Sequence, residues 1–186
     1  NHFKFLLFII AMILIAVAAA RPQFGSKLRE EKSRGVEMML VVDVSNSMLA
    51  EDFEPSRLER TKYAIDKLSD GLKQERVGVI VSAGEAKVQL PITSDYRMAK
   101  AFAKRISPTL VAEQGTSIGK ALSMAMMSFS SQSDNSRVMI LITDGETHDN
   151  NALEVAQQAA EQGIKIFTIG IGTPEGAPIS INGEYI

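Results

Sequence analysis

Residues 36–48 read VEMMLVVDVSNSM, and this stretch decides the fold. Val36 to Val42 is apolar apart from Glu37, after which Asp43, Ser45 and Ser47 alternate through a polar loop. Side chains alternate between the two faces of a strand, so a run apolar at successive positions suits a strand covered on both sides. VGVIVS (77–82), VMILIT (138–143) and IKIFTIGIG (164–172) have the same character. Segments of helical period lie between them. Ser56 followed three residues later by Glu59 predicts a capping box, and Leu58, Ile65, Leu68 and Leu72 give that helix one apolar face, with Gly71 near its end. Further helices are predicted from about Asp95 to Ile106, capped by Thr93 or Ser94, from about Ser117 to Phe129, and from about Asn151 to Gln162. AKVQLP (86–91), joined to 77–82 by Ala83-Gly84-Glu85, predicts a hairpin at a sheet edge, and Asn182-Gly183 predicts a type I′ turn. The alternation predicts a doubly wound α/β domain with a mostly parallel sheet and helices on both faces.

Outward from that core, the N-terminal part has a different composition. Phe5 to Ala20 carries no charge. As a helix it would span about 24 Å, or about 27 Å with Phe3 and a snorkelling Lys4, against a hydrocarbon core of roughly 30 Å. Residues 1–20 are therefore expected to be a transmembrane anchor, the rival being a signal peptide cleaved near Ala18-Ala19-Ala20. A buried core helix would show a polar stripe, which this segment lacks. Arg21 to Gly35 reads as a basic juxtamembrane linker, and 36–186 as the domain. The chain starts at Asn1 without a Met, so upstream sequence is expected.

The 186 residues suit a single ordinary domain, and the absence of Cys removes disulfide scaffolds, zinc ribbons and thiol catalysis. Formal charge is −2 overall; with Lys4 at +1 and residues 21–35 at +3, residues 36–186 carry −6. An acidic domain is a poor nucleic-acid binder, since that affinity rests on neutralising phosphates. The basic linker beside an apolar segment suits lipid headgroups instead.

In open α/β sheets ligands collect beyond the C-terminal strand ends. The first strand runs into Asp43-Val44-Ser45-Asn46-Ser47, VMILIT runs into Asp144-Gly145-Glu146, and Gly115-Thr116-Ser117 opens a helix. Asp43, Ser45, Ser47, Thr116 and Asp144 would make an all-oxygen set for a hard divalent cation such as Mg²⁺, with Mn²⁺ or Ca²⁺ as substitutes. Two carboxylates balance the ion's charge, and one coordination position remains for water or for a carboxylate from another molecule. The rival for the Asp-Ser-Ser loop is turn and cap chemistry, which the presence of Thr116 and Asp144 at matching positions makes the weaker reading.

DVSNSM after a buried strand, GTSIGKAL before a helix and LITDGE after a second strand resemble the von Willebrand factor type A domain and its metal-ion-dependent adhesion site (MIDAS). The resemblance covers roughly residues 36–172. It implies that Ser45, Ser47 and Thr116 touch the metal, that Asp43 and Asp144 often act through water, and that an Asp or Glu of a protein partner completes the shell. An apolar helix ending in ARPQ, a basic linker and this domain are together similar to the aerotolerance-type (Bat) bacterial membrane proteins. That resemblance implies further membrane helices on either side, other such domains and a MoxR-type AAA+ ATPase as partners, and the bacterial inner membrane as location. The chain ends at Ile186, before the last strand and helix of that fold, so the domain is expected to be C-terminally truncated. Five Lys/Arg after the apolar segment would put the domain in the cytoplasm by charge bias; the resemblance favours the periplasmic side, which is the expectation adopted.

The resulting expectation is a membrane-tethered, cation-dependent protein-binding module rather than an enzyme. The strongest alternative is a serine hydrolase: Gly115-Thr116-Ser117-Ile118-Gly119 matches the nucleophile-elbow pattern, with Asp144 and His148 following in triad order. Against it, the elbow should follow a buried strand, whereas Glu113 and Gln114 are polar, and Asp144 and His148 share one loop. Ser117-Ile118-Gly119-Lys120 with Ser133-Asp134-Asn135 mimics the penicillin-binding pattern without its third motif. His148 with Glu146 and Asp149 reads as solvated surface rather than a second metal site, and Met124, Met126 and Met127 as core packing. A scaffold with a purely structural ion is the third possibility.

Overall fold

The structure is a computed structural model that describes residues 2–19, 35–130, 135–147, 149–173, 177–181 and 184–185. Residues 21–34 of the expected linker, His148, Ser133, Asp134 and the Asn182-Gly183 turn lie outside the described residues. The chain divides into two units, Asn1–Ser33 and Arg34–Ile186.

In the second unit, β1 (Val36–Asp43) runs between β2 (Arg76–Ser82) and β4 (Ser136–Thr143), parallel to both. β3 (Ala86–Thr93) pairs antiparallel with β2, and β5 (Lys165–Gly170) pairs parallel with β4. The order is β3-β2-β1-β4-β5. The hairpin expected at a sheet edge is there, and β6 (Ser180–Ile181) and β7 (Glu184–Tyr185) pair antiparallel across the predicted turn.

Both faces of the central strands are covered, which is why they read as apolar throughout. Leu40 and Val42 of β1, with Val77, Val79 and Val81 of β2, pack against α2 (Arg57–Gly71) and α3 (Tyr96–Arg105). Met39 and Val41, with Ile80 and Met139, pack against α4 (Ile118–Ser128) and α5 (Ala152–Glu161). Gly78 lies under Met39: a Cβ there would stand 2.8 Å from the methionine methyl.

Three local expectations are adjusted. Ser56 Oγ accepts from the Glu59 N–H at 3.2 Å, but the Glu59 carboxylate takes Lys62 at 2.6 Å, so the box operates in one direction here. Asp95, rather than Thr93 or Ser94, caps α3, accepting from the Arg97 and Met98 N–H groups; a carboxylate suits the positive end of a helix better than a hydroxyl. Of the methionines expected to pack in the core, Met124 and Met126 lie against it while Met127 is 78% exposed.

In the first unit, α1 (His2–Ala19) has 18 residues, and its side chains from His2 to Ile15 are exposed. It is about 27 Å long, a little less than the roughly 30 Å hydrocarbon core. Among the described residues no helix is long and apolar enough to cross a membrane.

Candidate metal centre

The sheet leaves its starting strand in both directions, so β1 and β4 flank the point where the strand order reverses, and their C-terminal ends open a crevice there. Asp43 ends β1, and Thr143 ends β4 beside it. The Thr143 hydroxyl donates to Asp43 Oδ2 at 2.7 Å, and the Ser45 N–H donates to Asp43 Oδ1 at 2.9 Å. Thr143 was not foreseen as a participant, because nothing local in LIT marks which strand end it will face.

The loop after Asp43 turns at once into a short 3-10 helix, Asn46–Leu49. Val44 and Met48 are fully buried and join the core beneath it. That anchoring sends the intervening Ser45 and Ser47 to the other side, where their hydroxyl oxygens lie 2.9 Å apart. That is hydrogen-bond distance, and the pair presents two adjacent hydroxyl oxygens of the kind a hard cation takes.

Thr116 reaches the same edge along another route. The Ser117 N–H donates to the Ala83 carbonyl at 2.8 Å, just beyond β2, and the Gly84 N–H donates to Glu113 at 3.0 Å. A Cβ at Gly84 would lie 2.5 Å from the Gln114 carbonyl, so glycine permits the close approach. Thr116 is 4% exposed.

Asp144 follows β4 and accepts from the Glu146 N–H at 3.2 Å. Burial pushes the Asp43 carboxyl above its ordinary range and repulsion from Asp144 adds to this, against the lowering effect of its Ser45 and Thr143 hydrogen bonds. Two carboxylates that repel in a buried crevice beside two close hydroxyls make a hard, all-oxygen set suited to a divalent cation. Among the described residues no group of three or more His, Asp or Glu is placed to hold a metal, so a cage of acids is not the alternative.

Two further residues join Asp144 to the rest of the edge. Arg57, the first residue of α2, forks onto Asp52 through Nε (2.8 Å) and Nη2 (2.7 Å) and reaches Asp144 Oδ2 through Nη1 at 3.3 Å. The Asp52 carboxyl is held well below its usual range, chiefly by Arg57, against burial and with help from Thr173. No sequence signal pointed to Arg57 or Asp52.

The hydrolase alternative finds little geometry. The Ser117 hydroxyl donates to Asp149 Oδ2 at 2.7 Å, while Asp144 is engaged by Arg57. No strand leads into Ser117, which follows the loop from Val111 and stands at the N-cap position of α4 without a side-chain capping bond. Asp149, for which the sequence suggested no role at a helix end, takes the N-terminal end of α4, accepting from the Gly119 N–H at 2.9 Å. Burial raises its carboxyl, but bonds from Ser117, Thr147, Gly119 and Lys120 outweigh that and lower it. Gly119 is required by this contact, since a Cβ would stand 2.0 Å from Asn151 Oδ1 and 3.1 Å from Asp149 Oδ2. Gly119→Ala is expected to destabilise the domain by about 1–3 kcal/mol, read as a lower thermal midpoint; an unchanged midpoint would show that Asn151 moves aside freely.

Residues 37–180 match the family model described as von Willebrand factor type A domain. Among solved structures, the chain is similar to the conserved hypothetical protein BatB from Bacteroides thetaiotaomicron, with 51% identity and a TM-score of 0.79, covering 82% of this chain and 75% of that one. It is also similar to an aerotolerance-related membrane protein from Bacteroides fragilis, with 50% identity and a TM-score of 0.77, covering 81% and 74%. In fold alone it is similar to proximal thread matrix protein 1 from the mussel byssus with a zinc-occupied MIDAS motif, at 21% identity and a TM-score of 0.64, covering 75% and 36%. The chain spans about half the length of the curated relatives it matches.

Proposed function

The chain belongs to the von Willebrand factor type A domain family, and from that premise we propose that it is a divalent-cation-dependent protein-binding module. In this reading Asp43, Ser45, Ser47, Thr116 and Asp144 hold one ion, and an Asp or Glu of a protein partner completes its coordination. The observation that carries the reading is the cluster at the end of β1, where Thr143 and the Ser45 N–H fix the Asp43 carboxylate beside the paired Ser45 and Ser47 hydroxyls. When bound, the ion supplies an electrophilic centre for a carboxylate. The residues supply the rest: Thr143 and the Ser45 N–H orient Asp43, and Val44 and Met48 lock the loop. Hard oxygen donors favour Mg²⁺, with Mn²⁺ or Ca²⁺ as substitutes. Binding rather than catalysis is favoured because Ser117, the one candidate nucleophile, donates to a carboxylate that caps a helix.

The proposed setting is the bacterial inner membrane, with α1 in contact with lipid and the domain on the periplasmic side. The exposed apolar surface of α1 supports the lipid contact, and the similarity to an aerotolerance-related membrane protein supports the setting. The test immobilises the full chain in detergent and offers it solubilised bacterial membrane proteins, in Mg²⁺ and in EDTA. Other domains of this family and a MoxR-type AAA+ ATPase are the first purified probes. Retention in Mg²⁺ and release by EDTA is the expected result; equal retention in both would sink the reading.

A further inference from the structure

The Arg57 guanidinium stands between two carboxylates with different duties. Its side chain is 9% exposed, that of Asp52 is 4% and that of Asp144 is 1%. Towards Asp52 it makes a two-pronged contact at 2.8 and 2.7 Å, the planar fork that suits a carboxylate. Towards Asp144 it makes a single longer contact at 3.3 Å. Asp52 is itself fixed from the far side, where the Thr173 N–H and hydroxyl donate to its Oδ2 at 2.9 and 3.2 Å. The guanidinium is fenced as well: a Cβ at Gly172 would stand 3.3 Å from its Cζ. Asp52, held in place by Thr173, thus takes two of the guanidinium's N–H donors against one for Asp144.

We propose that Arg57 is a resident cation that shares Asp144 with the divalent ion and sets how tightly the site holds it, and that Asp52 sets how much of Arg57 Asp144 receives. Arg57 and Asp52 are positioning residues in this scheme and do not touch the ion. The inference rests on the metal-site reading above. Its physical content is charge: a guanidinium next to a carboxylate that faces a +2 ion lowers the attraction, and a nearby carboxylate restores it. The arrangement leaves Asp144 oriented but partly neutralised, which keeps the ion electrophilic towards a partner's carboxylate.

The two partners are expected to shift affinity in opposite directions. Calorimetric titration of Mg²⁺ into the full chain in detergent, with thermal midpoints measured in EDTA, separates charge from structure. Arg57→Gln is expected to bind Mg²⁺ about tenfold more tightly despite a lower midpoint, because a positive charge has left a poorly screened site. Asp52→Asn is expected to bind about tenfold more weakly, since Arg57 is then uncompensated. The double variant Asp52→Asn with Arg57→Gln, an uncharged pair, is expected to return towards the parent. That ordering remains decisive if Arg57→Gln alone does not fold: a double variant weaker than Asp52→Asn would overturn the proposal. Equal weakening by both single variants would overturn it too, because a purely structural network predicts that outcome. If the parent binds no Mg²⁺ or Mn²⁺, the metal-site reading itself falls, and the inference with it.

Discussion

Asp43→Asn is expected to remove divalent-ion binding and leave the sheet folded. The substitution keeps the shape of the side chain, and its amide oxygen can still accept from the Ser45 N–H. The amide nitrogen replaces the oxygen that accepts from Thr143, so the Thr143 hydroxyl must turn to accept from it instead. What it removes is one of the two carboxylates that balance the ion. Two unit charges about 4 Å apart near a protein surface attract by about 4 kcal/mol. Losing even about 3 kcal/mol of that lowers affinity more than a hundredfold. Stability should not fall in parallel, because burial and repulsion from Asp144 already disfavour the charged form of Asp43 in the metal-free domain. The expected pattern is therefore loss of the calorimetric Mg²⁺ signal with a thermal midpoint, measured in EDTA, equal to or above the parent's. A variant that binds Mg²⁺ normally would show that Asp43 is not part of the site.

Arg76→Met is expected to have the largest effect on stability, at the opposite edge of the sheet. Glu37, near the start of β1, is fully buried. Its Oε1 accepts from Arg76 Nη1 at 2.9 Å and from the Asn135 side-chain amide at 3.4 Å, while Oε2 has no hydrogen-bond partner among the described residues. Glu37 and Arg76 are register neighbours on parallel strands, so the pairing is set by the sheet itself. Removing one partner of a buried pair strands the other charge and costs about 3–5 kcal/mol. The Arg76 side chain is 45% exposed, so water already screens it and a loss of about 2–3 kcal/mol is the better expectation. For a domain of this size that is a drop of roughly 5–10 °C in thermal midpoint. Adding Glu37→Gln to Arg76→Met should recover most of the loss, because no charge is then left stranded. If the double variant melts as low as Arg76→Met alone, the buried charge is not the cause.

Much of the architecture was legible because strand patterning is a local property. A strand covered on both faces must be apolar at consecutive positions, and β1, β2 and β4 are. β5 shares that apolar pattern in sequence, and its Phe167 and Ile169 are 56% and 44% exposed among the described residues. Helix caps were harder to place. Thr93, Ser94 and Asp95 are all plausible caps in sequence, and only the backbone geometry selects Asp95. The apolar N-terminal segment was read as a helix from its composition, and it is one, of about the length that reading implied.

The order of residues alone placed Asp43, Ser45 and Ser47 in one tight polar loop at the end of an apolar strand. It also determined the parallel α/β class, through runs too apolar for a strand with a solvated face. Only the tertiary structure decided what surrounds those oxygens. Thr143 meets Asp43 across 100 residues, Asp149 takes the end of α4 across 30, and Arg57 divides itself between Asp52 and Asp144, the latter 87 residues away. Such contacts are set by which strands become neighbours in the sheet. A side chain's charge and reach are written locally, but the group it will meet is settled only when distant strand ends are brought side by side.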